Sequence, residues 1–170
     1  MKKAMVSRIL LPALACIFIL TASADAGIRF GGGLHYLRTV GEIKDSPEFD
    51  ENSVGFMGSV LFTQTLLRLE ADVEYIPVFG IDKAMFQPQA YAMVGDFIYG
   101  GVGIGIGYID GDWQSNPFYA LRAGVDFFLA GLDLDVFASY RFQKANDLEN
   151  LGSDDLNSIT FGVLLRFGTK

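Results

Sequence analysis

LLRLEADVEYI, residues 66 to 76, alternates apolar and charged side chains from Leu67 to Tyr75. Successive residues of a β-strand point to opposite faces, so Leu67, Leu69, Ala71, Val73 and Tyr75 share one side and Arg68, Glu70, Asp72 and Glu74 the other. On a helix the same charges would interleave with the apolar residues and leave no apolar stripe. The segment is a strand whose two faces meet very different surroundings.

Seven further segments read the same way. Residues 53–63 present Val54, Phe56, Val60 and Phe62 on one face, and 27–37 present Ile28, Phe30, Leu34 and Tyr36. Residues 85–95 offer a poorer set, Phe86, Pro88, Ala90, Ala92 and Val94, and 98–109 offer Ile98, Val102, Ile104, Ile106 and Tyr108. Residues 117–127 align Tyr119, Leu121, Ala123, Val125 and Phe127, and 131–142 align Leu132, Leu134, Val136, Ala138, Tyr140 and Phe142. The last segment, 158–168, aligns Ile159, Phe161, Val163, Leu165 and Phe167. Most are long enough for the roughly 9 to 11 residues that a tilted membrane strand requires. No stretch of helical periodicity is long enough to assert a helix.

The chain has 170 residues, room for one domain with a core and too few for two of ordinary size. Its 13 Lys and Arg against 20 Asp and Glu leave a net charge of −7, and no local basic cluster stands out to gather a phosphate backbone. No nucleic-acid partner is expected. The single Cys16 and the single His35 cannot by themselves build a disulfide or a Cys/His zinc site.

Residues 1 to 8 carry Lys2, Lys3 and Arg8, residues 9 to 24 carry no charge, and Ala24-Asp25-Ala26 offers the small residues of a cleavage point. Residues 1–26 therefore read as a cleaved signal peptide. A transmembrane anchor would need about 20 apolar residues, and the uncharged stretch here has 16 including Pro12. Leu14-Ala15-Cys16 is a faint lipoprotein signal, contradicted by the apolar Ile17 to Leu20 where a polar tether belongs. The expected mature domain, 27–170, has 144 residues, no cysteine and a net charge of −9. No charge-free run reaches the roughly 20 apolar residues of a helical span, and the run 97 to 109 is 13 residues broken by five glycines, so helices are not the means by which it would cross a membrane.

The face opposite the apolar one carries Arg29, His35, Arg68, Glu70, Asp72, Glu74, Arg122, Asp126, Asp133, Asp135, Arg141 and Arg166. A soluble barrel would turn this face to water, and a membrane barrel would enclose it. Five Arg against six Asp and Glu is close to the balance that a narrow lumen of paired ions demands. The apolar face ends repeatedly in aromatics, Tyr36, Tyr75, Tyr108, Tyr119, Phe142 and Phe167, as interfacial girdles do. Both points favour lipid outside. The expected fold is all-β, a closed eight-stranded antiparallel up-and-down transmembrane β-barrel, its first strand paired with its last because an open edge in hydrocarbon leaves backbone groups unsatisfied. A bore of that size is only wide enough for side chains. Gly101, Gly103, Gly105 and Gly107 face inward and are expected to leave room for long Arg and Glu side chains.

The breaks alternate in length, as a membrane meander requires. Short ones at Gln64-Thr65, Gly95-Asp96-Phe97 and Leu129-Ala130-Gly131 read as periplasmic turns, and long ones at 38–52, 77–84, 110–116 and 143–157 as outer loops. The long breaks hold 12 of the 19 acidic residues of the mature chain, without the spacing of an EF-hand, and read as a solvated acidic rim. Pro88 fits least well: a closed barrel offers partners on both sides of every strand, so its missing N–H implies a bulge or a place near the rim.

With these features together, the chain resembles the small eight-stranded outer-membrane proteins of Gram-negative bacteria, the group that includes OmpX, OmpW and the OmpA membrane domain. The similarity spans residues 27 to 170 and is most specific in SITFGVLLRF, residues 158 to 167, which resembles the family's signal for outer-membrane insertion. Here the final aromatic, Phe167, is followed by Gly168-Thr169-Lys170, a departure from the pattern.

Some barrels of the resembled group are lipid A acyltransferases, deacylases or proteases that use His with Ser, Asp or Glu near the outer rim. His35 has Ser53 and Ser59 on the neighbouring strand and Glu70 and Asp72 on the next, but catalysis needs a nucleophile or water within reach of a base held by a third group. Alternation alone does not supply that geometry, and a structural, hydrogen-bonded histidine is the simpler reading. The carboxylates Glu70, Asp72, Glu74, Asp133 and Asp135 read as a buried ion network beside Arg68, Arg122, Arg141 and Arg166 rather than as glycosidase pairs. Trp113 reads as an interfacial anchor. No catalytic, cofactor-binding or metal-binding residue is assigned, and no cofactor is expected. The expected function is that of a non-enzymatic protein of the cell outer membrane that supports envelope integrity or displays acidic surface loops. A narrow pore for small solutes is the alternative, with a lipid A-modifying enzyme third and an adhesin left open. Expected partners are outer-membrane lipid and lipopolysaccharide, and the insertion machinery through the last strand, with the protein a monomer.

Overall fold

The computed structural model describes residues 26–40, 52–79, 83–109, 111–129, 131–143 and 157–169. Ten strands follow one another: β1 (Ala26–Val40), β2 (Asn52–Gln64), β3 (Leu67–Phe79), β4 (Lys83–Gly95), β5 (Ile98–Gly105), β6 (Tyr108–Ile109), β7 (Asp112–Trp113), β8 (Phe118–Leu129), β9 (Leu132–Phe142) and β10 (Asn157–Gly168). Eight of them form a closed antiparallel ring, β1 to β5 followed by β8 to β10, and the short β6 and β7 lie outside it. The ring closes where β1 pairs with β10, from Arg29 opposite Gly168 to Val40 opposite Asn157. Each ring strand is paired with a neighbour on both sides, the condition that hydrocarbon surroundings impose.

Burial alternates with the period of the sequence, and it is inverted relative to a soluble protein. All eleven charged side chains of the polar face lie inside, each at most 7% exposed. Large apolar side chains of the other face point out, with Phe30, Val94 and Ile98 at 59%, 65% and 69% exposure. This decides between the two barrels that alternation allows, because an apolar exterior over a charged interior matches lipid outside. From Tyr119 to Phe127 on β8 the outward belt spans about 20 Å, taking a rise of about 3.3 Å per residue and a tilt of about 40°. No helix among the described residues is long and apolar enough to cross a membrane.

At one end of the ring the connections are tight. Thr65 and Leu66 join β2 to β3, Asp96 and Phe97 join β4 to β5, and Gly131 leads into β9 two residues after the end of β8. Thr65 adopts a φ of 53°, and Gly131 a φ of 88° with open space where a Cβ would stand, so backbone conformation rather than crowding calls for glycine there. The residues of the long breaks 38–52 and 143–157 lie largely outside the described residues, as does the expected leader 1–26 apart from Ala26, which opens β1. The departure after Phe167 is tied into the seam: Thr169 N–H donates to the Ile28 carbonyl at 3.1 Å, and Ile28 N–H donates to Thr169 Oγ1 at 3.2 Å.

The segment 98–109, read as one strand from the sequence, is interrupted at Ile106-Gly107. Pro88 is the cause we identify. β4 pairs with β5 up to Gln89 opposite Gly105, and with β6 from Phe86 opposite Tyr108, so Pro88 stands opposite Ile106 in an unshifted register. The Pro88 carbonyl accepts from Ile106 N–H at 3.1 Å, but proline has no N–H to return. The ladder resumes as β6, which turns back into β7 and places Trp113 against Tyr108 with ring centroids 5.1 Å apart.

Candidate functional site

The charges of the lumen are stacked in tiers along the barrel axis. Nearest the tight turns, Arg29 pairs with Asp133 and, at 3.3 Å, with Asp126; Arg68 reaches Asp126 at 2.6 Å and the Asp96 carbonyl at 3.1 Å. Above them Arg166 pairs with Glu70 and, at 2.6 Å, with Asp135, while its Nε donates to Ser59 Oγ at 3.2 Å. Ser59 in turn donates to Glu70 at 2.9 Å, and the Tyr99 hydroxyl donates to Asp135 at 2.7 Å. In the next tier Arg122 reaches across from β8 to β3, to Asp72 at 2.8 Å and Glu70 at 3.2 Å. Nearest the loops Arg141 pairs with Glu74 and donates to Gln87 Oε1 at 2.9 Å. Every arginine on the inward face has a carboxylate, and every carboxylate has an arginine.

Aromatic rings complete the filling. Arg122 lies between Tyr91 and Phe137, 3.7 and 4.2 Å from their centroids, and Arg68 lies 4.1 Å from the centroid of Tyr99. The guanidinium is weakly hydrated and stacks well on a π-face, so these rings offset part of the cost of taking arginine out of water. Each ring needs a bare neighbour. A Cβ on Gly103 would meet Tyr91 at 2.4 Å, on Gly105 Phe118 at 2.3 Å, on Gly124 the Tyr99 hydroxyl at 2.5 Å, and on Gly162 Phe137 at 2.3 Å. Of the four glycines expected to leave room for long Arg and Glu side chains, Gly103 and Gly105 instead make room for rings, Gly101 lies against Met93 and Gly107 against Gln114, which corrects that expectation. Tyr91, Tyr99, Phe118 and Phe137 sit at inward positions of their strands, and that parity was the signal sequence reading passed over.

Toward the loops the charged tiers end under an apolar layer of Leu37, Ile76 and Met85, with Ile109 packed against it. A cavity of about 40 Å3 remains there, bounded by Thr39, Gln87, Phe118, Arg141 and Ser158 among others.

His35 is buried beside this layer, over Gly55, with Nδ1 3.7 Å from Glu74 Oε1. That is too long for a hydrogen bond. This corrects the expectation of a hydrogen-bonded histidine: neither imidazole nitrogen, nor Ser53 Oγ, has a hydrogen-bond partner in the protein, and Ser59 is engaged with Glu70 and Arg166. The four candidate partners Ser53, Ser59, Glu70 and Asp72 are thus not assembled around His35, and Glu74, which alternation did not single out for it, is the carboxylate that approaches. Among the described residues no group of three or more His, Cys, Asp or Glu is placed to hold a metal ion.

No family model and no curated protein sequence matches the chain. Solved structures do. The chain is similar to the Neisserial surface protein A, NspA, with a TM-score of 0.58 at 12% identity, covering 85% of this chain and 97% of that one. The likeness is one of fold. OprG, an outer membrane protein of Pseudomonas aeruginosa, follows with a TM-score of 0.46 at 10% identity over 85% of this chain and 94% of that one. Ail, the attachment invasion locus protein of Yersinia pestis, crystallised with the heparin analogue sucrose octasulfate, gives 0.44 at 14% over 84% and 97%. The chain is an eight-stranded barrel similar to small outer-membrane barrel proteins.

Proposed function

We propose that the protein is a non-enzymatic component of the outer membrane whose barrel crosses the bilayer with a closed bore, supporting the envelope and displaying its acidic loops. The observation that carries this reading is the continuous occupation of the lumen by paired charges and rings, from Arg29 at the turn end to Arg141 at the loop end. Buried ion pairs cost several kcal/mol per ion in desolvation, so a network of this extent is weak as a stabiliser and effective as a filling that resists displacement. In this reading residues 1–26 direct export, the outward belt meets membrane lipid and lipopolysaccharide, and β10, with Phe167 as its last aromatic, addresses the insertion machinery. One closed ring leaves no edge for a second copy, which favours a monomer.

The test is twofold. The purified protein should migrate differently in detergent gels before and after boiling, and should give no conductance steps in planar bilayers. A single mobility together with a soluble periplasmic fraction would overturn the membrane assignment, and reproducible openings of the wild-type protein would overturn the closed bore. The pore reading draws its support from the cavity of about 40 Å3 at the loop end, which would be its mouth.

A further inference from the structure

The outward face of β4 carries small side chains. Between Phe86 and Val94 it carries only Pro88, Ala90 and Ala92. Ala92 stands opposite Leu69 on one side and Val102 on the other, and Ala90 stands opposite Ile104, which pairs in turn with Tyr119. Ala92 between two large residues, and Ala90 between Ala71 and Ile104, make a groove of about 710 Å3 across β4, β5 and β8, with no charged side chain in its lining.

The groove has a direction. Its outer mouth is formed by Tyr119, whose ring lies 5.9 Å from that of Phe142, and its body runs inward within the apolar belt. All five outward tyrosines, Tyr36, Tyr75, Tyr108, Tyr119 and Tyr140, lie toward the loop end, whereas the turn end is ringed by Phe30, Phe97, Phe127, Phe128 and Phe167. Hydroxyl-bearing rings suit the headgroup level, where one edge is apolar and the other wet. A polar mouth over an uncharged body is the pattern of a lipid, with its headgroup at the rim and its chain below. The groove is also continuous with the belt that faces hydrocarbon, so its occupant arrives through the membrane.

We propose that the groove across β4, β5 and β8 holds one acyl chain of a membrane lipid whose headgroup rests at the Tyr119 rim. This rests on the membrane-spanning reading above. The full-length protein, extracted in mild detergent, should keep one lipid per barrel when detergent is stripped in native mass spectrometry. The mass of the adduct tells a phospholipid from a lipopolysaccharide. Ala90→Leu with Ala92→Leu fills the groove from outside the barrel and should lower lipid occupancy at least tenfold, while Val60→Leu with Val163→Leu on other parts of the wall should leave it unchanged. Ile104→Phe fills the groove from β5 and serves if the double variant does not fold. A wild-type barrel without retained lipid, or a filled and folded variant that keeps it, would overturn the proposal. A paired-barrel species that disappears on filling would instead assign the groove to a second copy and overturn the lipid. Boiled and unboiled mobilities run alongside: no shift in the wild type removes the membrane reading, whereas a shift without retained lipid removes only the groove site.

Discussion

The two faces of the same strands are held by opposite kinds of physics. Inside, β3 places Arg68, Glu70, Asp72 and Glu74 where each meets a named partner on a distant strand. Outside, the same strand presents Leu69, Val73 and Tyr75 to surroundings that ask only for apolar area. The lumen is thus specified residue by residue and the wall only by class. A lumen residue loses its function when its partner is removed, but a wall residue can change size with little consequence so long as it stays uncharged.

That contrast breaks most sharply at Glu70, which serves both Arg122 and Arg166. Glu70→Ala leaves two buried cations short of a partner and should cost about 3–5 kcal/mol, read as a lowered midpoint of urea unfolding in lipid vesicles. A loss below about 1 kcal/mol would mean that water reaches the lumen freely. On the wall, Val163→Arg places a charge on the lipid face near the middle of β10 and should cost about 2–4 kcal/mol in the same measurement. Gly162→Ala tests the rings: its Cβ would stand 2.3 Å from Phe137, so overpacking of about 1–3 kcal/mol is expected. The smallest effect belongs to Val60→Leu, an apolar change on the wall, which should stay within about 0.5 kcal/mol.

The strands, their inward and outward sets and the closure of the ring were legible because period 2 and the lipid requirement leave few choices. The partnerships within the lumen were not. Alternation says that Arg122 and Asp72 both face inward, but the height at which β8 meets β3 across the bore depends on strand tilt and stagger, which no local pattern records. For the same reason His35 lies beside Glu74 on β3 and not in a hydrogen-bonded set with Ser53. Pro88 was a legible anomaly with an illegible address, since its effect is felt on the neighbouring strand, at Ile106 and Gly107. The inward aromatics were written in the sequence as plainly as the charges, yet each makes sense only over a glycine such as Gly103 or Gly162 on the adjoining strand.

The seam between β1 and β10 carries a consequence for how the protein comes into being. Leu34 and Val163, or Tyr36 and Phe161, become neighbours only after all six ring strands between them in the chain have been made. Pairing so distant in sequence is slow, and until it forms the sheet has two raw edges able to recruit other chains. Losing the final strand would therefore not yield a slightly smaller barrel. It would yield an open ribbon with none of its closing contacts made, so the ring is the smallest unit that can succeed, and its final strand decides whether anything was built.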